Sequence, residues 1–266
     1  MASVKEIYTF IDGLAQFDTQ ESFDNAGFLV GRSETEVTGV LVCLDIDLAV
    51  IREAKELGVQ LIVAHHPVIF TPVRTITDET PVGERLLQLA ESGLCAICAH
   101  TNLDAAQDGV NDVLAQTLGL SQIIHLSQSG VDRQGRPYGI GRVGQITDTA
   151  LTDATRFAAF VKERLHAGCV RVHNAGRPVG LVAVGGGSCG SMLADAVAAG
   201  CDTFVTSDIK HDVFLDAADW GINLIDAGHF ATEDVICQPL AYRLRAAFPG
   251  LKVVKSKSCG EVFSCI

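Results

Sequence analysis

One pattern runs through this chain twice, and it restricts the fold more than anything else in the sequence. The stretch "VLVCLDIDLAVIREAKELGVQLIVAHH" ends at His66, and "LVAVGGGSCGSMLADAVAAGCDTFVTSD" ends at Asp208. Each reads strand, loop, helix, glycine, strand, polar pair, with Gly58 and Gly200 equally far from the end. Next, "GERLLQLAESGLCAICAHTNLD" answers to "HDVFLDAADWGINLIDAGHFATE", and Gly93 matches Gly221. Any two βαβ units share short loops and glycine caps for local reasons. Matched spacing through two successive units favours an internal duplication instead.

Short apolar runs alternating with helical patterns predict an α/β fold with mixed, mostly parallel sheets flanked by helices. Strands are expected over 37–46, 59–64, 94–99, 179–184, 201–206 and 222–226. Helices are expected near 3–17, 47–57, 82–92, 109–118, 151–166, 189–199, 211–220 and 233–247. The glycine-rich, polar segment "HLSQSGVDRQGRPYGIGRVGQ" is where the repeats part. The first repeat is then residues 1–125 and the second 126–266, with equivalent loops facing each other across a pseudo-twofold cleft.

Composition closes off several function classes. A net charge of -12 argues against nucleic-acid binding, which needs a basic face. Nowhere do 18 apolar residues run together, and the N-terminus lacks a basic segment followed by an apolar one, so neither membrane nor signal peptide is expected. Nine cysteines scattered through apolar runs suit a reducing cytoplasm better than a disulfide framework. Cys95 and Cys98 match C-x-x-C but lie inside a strand-like run, which favours burial over redox work. Cys259 and Cys265 carry no recognisable spacing.

Ligands of α/β sheets gather at the carboxyl ends of strands. There the sequence sets His65-His66, "AHTNLD" with His100 and Asp104, "TSDIKHD" with Asp208 and His211, and "DAGHFATE" with Asp226, His229 and Glu233. Imidazoles and carboxylates without cysteine suit zinc, iron, manganese or another first-row divalent ion. Each residue also has an ordinary reading. A histidine after a strand is commonly a hydrogen-bonded loop residue, Asp104 fits a turn or helix cap, and Glu233 fits the first turn of a helix capped by Thr232. Gathered at strand ends of a duplicated fold, they favour metal. Five candidate ligands (His65, His66, Asp104, His229, Glu233) exceed the three of an open mononuclear site. If His65 and His66 stand on a strand they face opposite ways, so they suit two ions rather than one. Two metals about 3.5–4 Å apart activate a bridging water and polarise a substrate oxygen. Two loops stay open in meaning: "GGGSCG" at 185–190 reads as a tight turn or an anion-holding loop, and "FDNAGFLVG" at 23–31 as an Asx-type turn feeding an edge strand or a loop at the cleft rim.

"DNAGFLVG", "AHHP", "HTNLD", "GGGSCG", "TSDIKHD" and "DAGHFATE", in that order, make the whole chain resemble the NIF-three-like dinuclear metal-centre family, whose members carry the name GTP cyclohydrolase I type 2 homologue. The resemblance implies two intertwined lobes of duplicated topology and toroidal homohexamers with metal sites facing the interior. It places the metal ligands on His65, His66, Asp104, His229 and Glu233, with Glu233 bridging two ions and the adjacent histidines on different ones. The chain is similar to the short form, with no inserted domain. "DIKHD" departs from relatives that carry a second histidine where Asp212 stands, which puts a catalytic role for that loop in doubt. The expectation is a cytoplasmic hydrolase with two divalent ions per chain (Zn, Fe or Mn) in the cleft between the repeats. It would act on a small phosphorylated or nucleotide-like molecule, with His100 or His211 moving protons. The competing expectation is a non-enzymatic metal-handling or scaffold protein.

Overall fold

The computed structural model describes residues 2–266. In chain order the main elements are α1 (Val4–Leu14), β1 (Gly27–Val30), β2 (Gly39–Cys43), α2 (Leu48–Leu57), β3 (Leu61–Ala64), α3 (Pro81–Glu91), β4 (Cys95–Cys98), α4 (Thr101–Ala105) and α5 (Val110–Thr117). There follow β5 (Ser121–His125), β6 (Arg142–Gln145), α6 (Ala154–Arg164), β7 (Arg171–His173), β8 (Leu181–Val184), α7 (Leu193–Ala198), β9 (Thr203–Thr206) and α8 (His211–Trp220). The last are β10 (Asn223–Asp226), α9 (His229–Glu233), α10 (Cys237–Ala247) and β11 (Lys252–Lys255). They form two compact units, residues 1–103 with 237–260, and residues 104–236 with 261–266.

The first unit is built on a five-stranded sheet ordered β11-β2-β3-β4-β1, parallel throughout except for the antiparallel edge strand β1. Strands β2, β3 and β4 are buried at every residue, as expected of parallel strands covered on both faces. The crossovers are short because their helices start and stop cleanly. Asp47 caps α2 by accepting from the Val50 N–H, and Thr80 caps α3 ahead of Pro81. The glycines matched in the sequence, Gly58, Gly93, Gly200 and Gly221, all end helices in the left-handed conformation, with φ between 64° and 78°.

The second unit holds a six-stranded sheet ordered β7-β10-β9-β8-β6-β5. Strands β8, β9 and β10 run parallel, and β7 and β6 flank them antiparallel. Alternate residues feed two cores: Val182, Val184, Val205 and Ile225 enter one, Ala183, Phe204 and Leu224 the other. In α1-β1-β2-α2-β3-α3-β4-α4 the sheet order is β2-β3-β4-β1. In α6-β7-β8-α7-β9-α8-β10-α9 it is β8-β9-β10-β7. The two connectivities are the same, element for element, and the architecture is mixed α/β.

The six strands expected from sequence are all present, each end within three residues of the expected one. Strands β5, β6, β7 and β11 lay outside the reading, and β1 entered it only as the edge strand fed by the turn in "FDNAGFLVG". Among the described residues no helix is long and apolar enough to cross a membrane. Among the described residues seven cysteines are thiols, including the buried Cys95 and Cys98, whereas Cys169 and Cys265 are joined in a disulfide. The reading that set a reducing cytoplasm above a disulfide framework did not foresee this bridge. Its partners stand 96 residues apart and no local spacing pairs them.

Candidate metal centre

In the first unit the site grows from the ends of β3 and β4. The ladder that pairs Ala64 with Cys98 carries on past the strands, where Ala99 N–H donates to Ala64 O. The chain bends at His65 and His66, and their rings come to 5.0 Å between centroids. Opposite-facing side chains therefore do not describe this pair: β3 ends at Ala64, before either histidine, so strand alternation does not govern them. His100 joins them, 5.2 Å and 5.5 Å from the two rings. One ring nitrogen from each of His65, His66 and His100 lies within 4.8 Å of the others, close enough to hold a metal ion.

Each imidazole is oriented through its far nitrogen. His65 Nδ1 donates to Ala99 O at 2.8 Å, His66 Nδ1 to Asp45 at 2.8 Å, and His100 Nδ1 to Asp24 at 2.8 Å. A carbonyl or carboxylate oxygen only accepts, so the ring proton belongs on Nδ1 and the lone pair on Nε2. Asp24 is the most developed of these supports. Its buried carboxylate also accepts from the Thr101 N–H at 3.0 Å and the Thr101 hydroxyl at 2.5 Å. Burial alone would raise its pKa, but the hydrogen bonds from His100 and Thr101 outweigh burial and bring it to about 2.

The second unit repeats the arrangement. Gly228, at φ 86°, turns the chain out of β10 into α9, which carries His229 and Glu233 one helical turn apart. His229 Nδ1 donates to Asp208 at 2.7 Å, and Asp208 itself holds the left-handed conformation at φ 53°. On the other side His229 Nε2 lies 3.0 Å from Glu233 Oε2. Two atoms bound side by side to one ion at about 2.1 Å each stand about 3 Å apart, so the pair has the spacing of neighbouring ligands. Glu233 is 3% exposed. A Cβ on Gly187 would stand 2.0 Å from Glu233 Oε1 and 3.3 Å from His229 Nε2, so only glycine leaves the carboxylate its place.

"GGGSCG" proves to be a cradle. The amide of Gly185 donates to Val205 O, that of Gly186 to Asn111 Oδ1, that of Gly187 to Thr232 Oγ1 and that of Cys189 to Thr206 Oγ1. Those donors are spent inside the protein and do not gather on an anion. Burial, reinforced by the carboxylates of Asp104 and Glu233, pushes the Cys189 thiol far above its ordinary pKa, which leaves it inert.

The ordinary readings of the two carboxylates fall. Asp104 lies within α4, and α5 is capped by Gly109 rather than by an aspartate. Thr232 does not cap a helix: its hydroxyl bonds Gly228 O and His229 O, and Glu233 closes α9 instead of opening α10. His211 opens α8 and is exposed, outside the His65–His66–His100 group and the His229–Glu233 pair. A cavity of about 500 Å³ in the second unit is lined by Arg171, Asp208, His229, Phe263 and the Cys169–Cys265 bridge. Sequence reasoning missed Asp45, placed Asp24 in a turn or a loop at the cleft rim, and counted Asp208 among the carboxylates at strand ends. Donors of nitrogen and oxygen, oriented imidazoles and a buried carboxylate with space reserved for it fit a divalent metal.

Known proteins share the fold and the sequence pattern of this chain. A hypothetical protein of Staphylococcus aureus superposes with a TM-score of 0.92 at 30% identity, covering 99% of both chains. A Bacillus cereus protein related to NIF3 shares the fold at a TM-score of 0.93 and 22% identity, over 100% of this chain and 99% of that one. In sequence, the GTP cyclohydrolase 1 type 2 homologue of Clostridium perfringens is 32% identical over 234 residues, 86% of each chain. Its namesake in Lactococcus lactis is 36% identical over 236 residues, 88% of each. The family model described as Duf34/NIF3 (NGG1p interacting factor 3) matches residues 2–259, and the chain belongs to that family.

Proposed function

We propose that His65, His66, Asp104, His229 and Glu233 together hold two divalent metal ions, and that the protein is a metal-dependent hydrolase of a small phosphorylated or nucleotide-like substrate. The observation that carries this reading is the repeated orientation of the imidazoles. His65, His66, His100 and His229 each give Nδ1–H to a fixed oxygen, which commits Nε2 to accept. A histidine with only a packing role does not need its tautomer set, whereas metal ligands characteristically have it set this way. Five donors are more than one ion with open positions uses, which supports two.

When bound, such ions supply Lewis-acid activation of a water and of a substrate oxygen. The chain supplies the rest. Asp24 fixes the His100 ring, so His100 Nε2 is the atom that takes up or returns a proton, with the exposed His211 as a second group for this task. The cavity beside His229 has the size of small-molecule sites, and the Arg171 guanidinium in its wall is held in place by Asp226 and by the Ile209 carbonyl. Assembly as a toroidal homohexamer in the cytoplasm completes the proposal, resting on the family resemblance.

The test begins with metal content and native mass of protein purified without added metal, followed by a screen of phosphoesters and GTP. Turnover that is lost in His65→Ala supports the hydrolase. Reversible metal uptake with no turnover above that control overturns it in favour of metal handling.

A further inference from the structure

Asn111 lies at the second position of α5 and is wholly buried, yet the proposed chemistry does not use it. Both ends of its amide are engaged, and each engages a different part of the ligand set. Nδ2 donates to the backbone carbonyl of Asp104 at 3.0 Å. Oδ1 accepts the Gly186 N–H at 2.9 Å, the residue before the Gly187 that makes room for Glu233. From there the chain of contacts runs through Gly187 N–H to Thr232 Oγ1 at 3.0 Å, and so to the residue that precedes Glu233. The Val110 side chain closes the same junction, standing 3.0 Å from where a Gly186 Cβ would be.

The next residue fixes the other end of the Asp104 segment. Asp112 pairs with Arg142, which is 1% exposed, through Nε at 2.7 Å and a second nitrogen at 3.0 Å. That guanidinium also donates to Ala106 O at 3.0 Å and to Gly139 O and Gly141 O at 2.7 and 2.9 Å. Two consecutive side chains of α5 therefore clamp residues 104–106. Only Asn111 continues to the loop that cradles Glu233. Neither glycine of that loop has a side chain of its own with which to set the distance.

We infer that Asn111 is the positioning residue of the metal centre, a rigid spacer that sets the Asp104 carboxylate against the Glu233 carboxylate. This rests on the proposal that both carboxylates bind metal. Its amide needs both functions at once: a donor for Asp104 O and an acceptor for Gly186 N–H. Serine at 111 is too short to span both, and alanine spans neither.

The test is cobalt(II) titration of the whole chain, followed by the visible absorption of the bound ion. Asn111→Ser and Asn111→Ala are compared with wild type and with Val161→Ala, a buried apolar change on α6 in the core of the same unit. Cobalt affinity should fall roughly 10- to 100-fold in both Asn111 variants, with an altered ligand-field spectrum, as for other groups behind a ligand. Val161→Ala should lose thermal stability but keep wild-type affinity and spectrum. If Asn111→Ala does not fold, Asn111→Ser carries the comparison, and a folded Asn111 variant with wild-type affinity and spectrum overturns the inference. So does an equal loss in Val161→Ala, which would make the effect general softening. Wild-type protein that takes up no cobalt would instead overturn the metal reading beneath it.

Discussion

Gly187→Ala adds a single methyl group at the most crowded point of the site. The new Cβ would stand 2.0 Å from Glu233 Oε1, 2.9 Å from Glu233 Cδ and 3.3 Å from His229 Nε2. Carbon and oxygen do not approach closer than about 3 Å without repulsion, so the carboxylate has to move by about 1 Å. Metal–ligand bonds tolerate about 0.2 Å. The backbone adds a second cost, because Gly187 sits at φ 65°. A left-handed alanine costs about 1–2 kcal/mol, offset by about 0.4–1 kcal/mol from the stiffer unfolded chain. Overpacking a buried site adds about 1–3 kcal/mol. The sum is roughly 3 kcal/mol, or on the order of 6–12 °C in melting temperature for a chain of this size. Urea denaturation reads the first effect and cobalt titration the second, where affinity should fall at least about 100-fold. Glu233→Asp in the same chain withdraws the carboxylate by one methylene; it should return most of the stability and none of the affinity. Gly187→Ala with wild-type stability would refute the steric reasoning, and wild-type metal affinity would remove Glu233 from the ligand set.

Other consequences are simpler to state. Asp24 is held at about 2, below its ordinary 3.8, so its contribution is complete above about pH 4 and is lost as pH falls through 2. At 1.36 kcal/mol per pH unit that is about 2 kcal/mol, and Asp24→Asn should remove it at pH 7 and flatten the acid limb of stability; an unchanged limb in urea curves from pH 2 to 7 would contradict this. Asp208→Asn keeps the left-handed backbone but replaces an obligate acceptor with an amide that can also donate to His229, so metal affinity should fall roughly 10- to 100-fold, with a mixed ring tautomer by nitrogen NMR. Thiol titration in denaturant without reductant should count seven cysteines, and nine after reduction, because Cys169 and Cys265 are bridged.

What could be read from the sequence follows from how local each signal is. Strands β2, β3, β4, β8, β9 and β10 announce themselves because a parallel strand buried on both faces is apolar at its centre. Strand β11 does not: it offers two valines between lysines, and its partner β2 lies more than 200 residues earlier in the chain. β5 alternates between half-buried and exposed at the sheet edge, a pattern that a polar loop also produces. Nor did strand periodicity decide the adjacent histidines, since β3 stops before them and the rings close to 5.0 Å.

The site shows the same division in a sharper form. Its donors could be picked out because imidazoles are conspicuous where apolar strands end. The groups that make them donors could not. Asp24 reaches His100 across 76 residues, Asp45 reaches His66 across 21, and Asn111 reaches Gly186 across 75. An aspartate before an asparagine, or an asparagine near a helix start, reads locally as a turn or a cap. The shared connectivity of the two units nevertheless leaves a trace in these supports. The loop after β3 contributes His66, oriented by a carboxylate; the matching position after β9 contributes Asp208, the carboxylate that orients His229. Equivalent loops thus supply the imidazole of one pair and the acceptor of the other. A His66→Asp, Asp208→His exchange would therefore leave His229 facing an imidazole and Asp45 facing a carboxylate, so the two positions are alike in topology and opposite in chemistry.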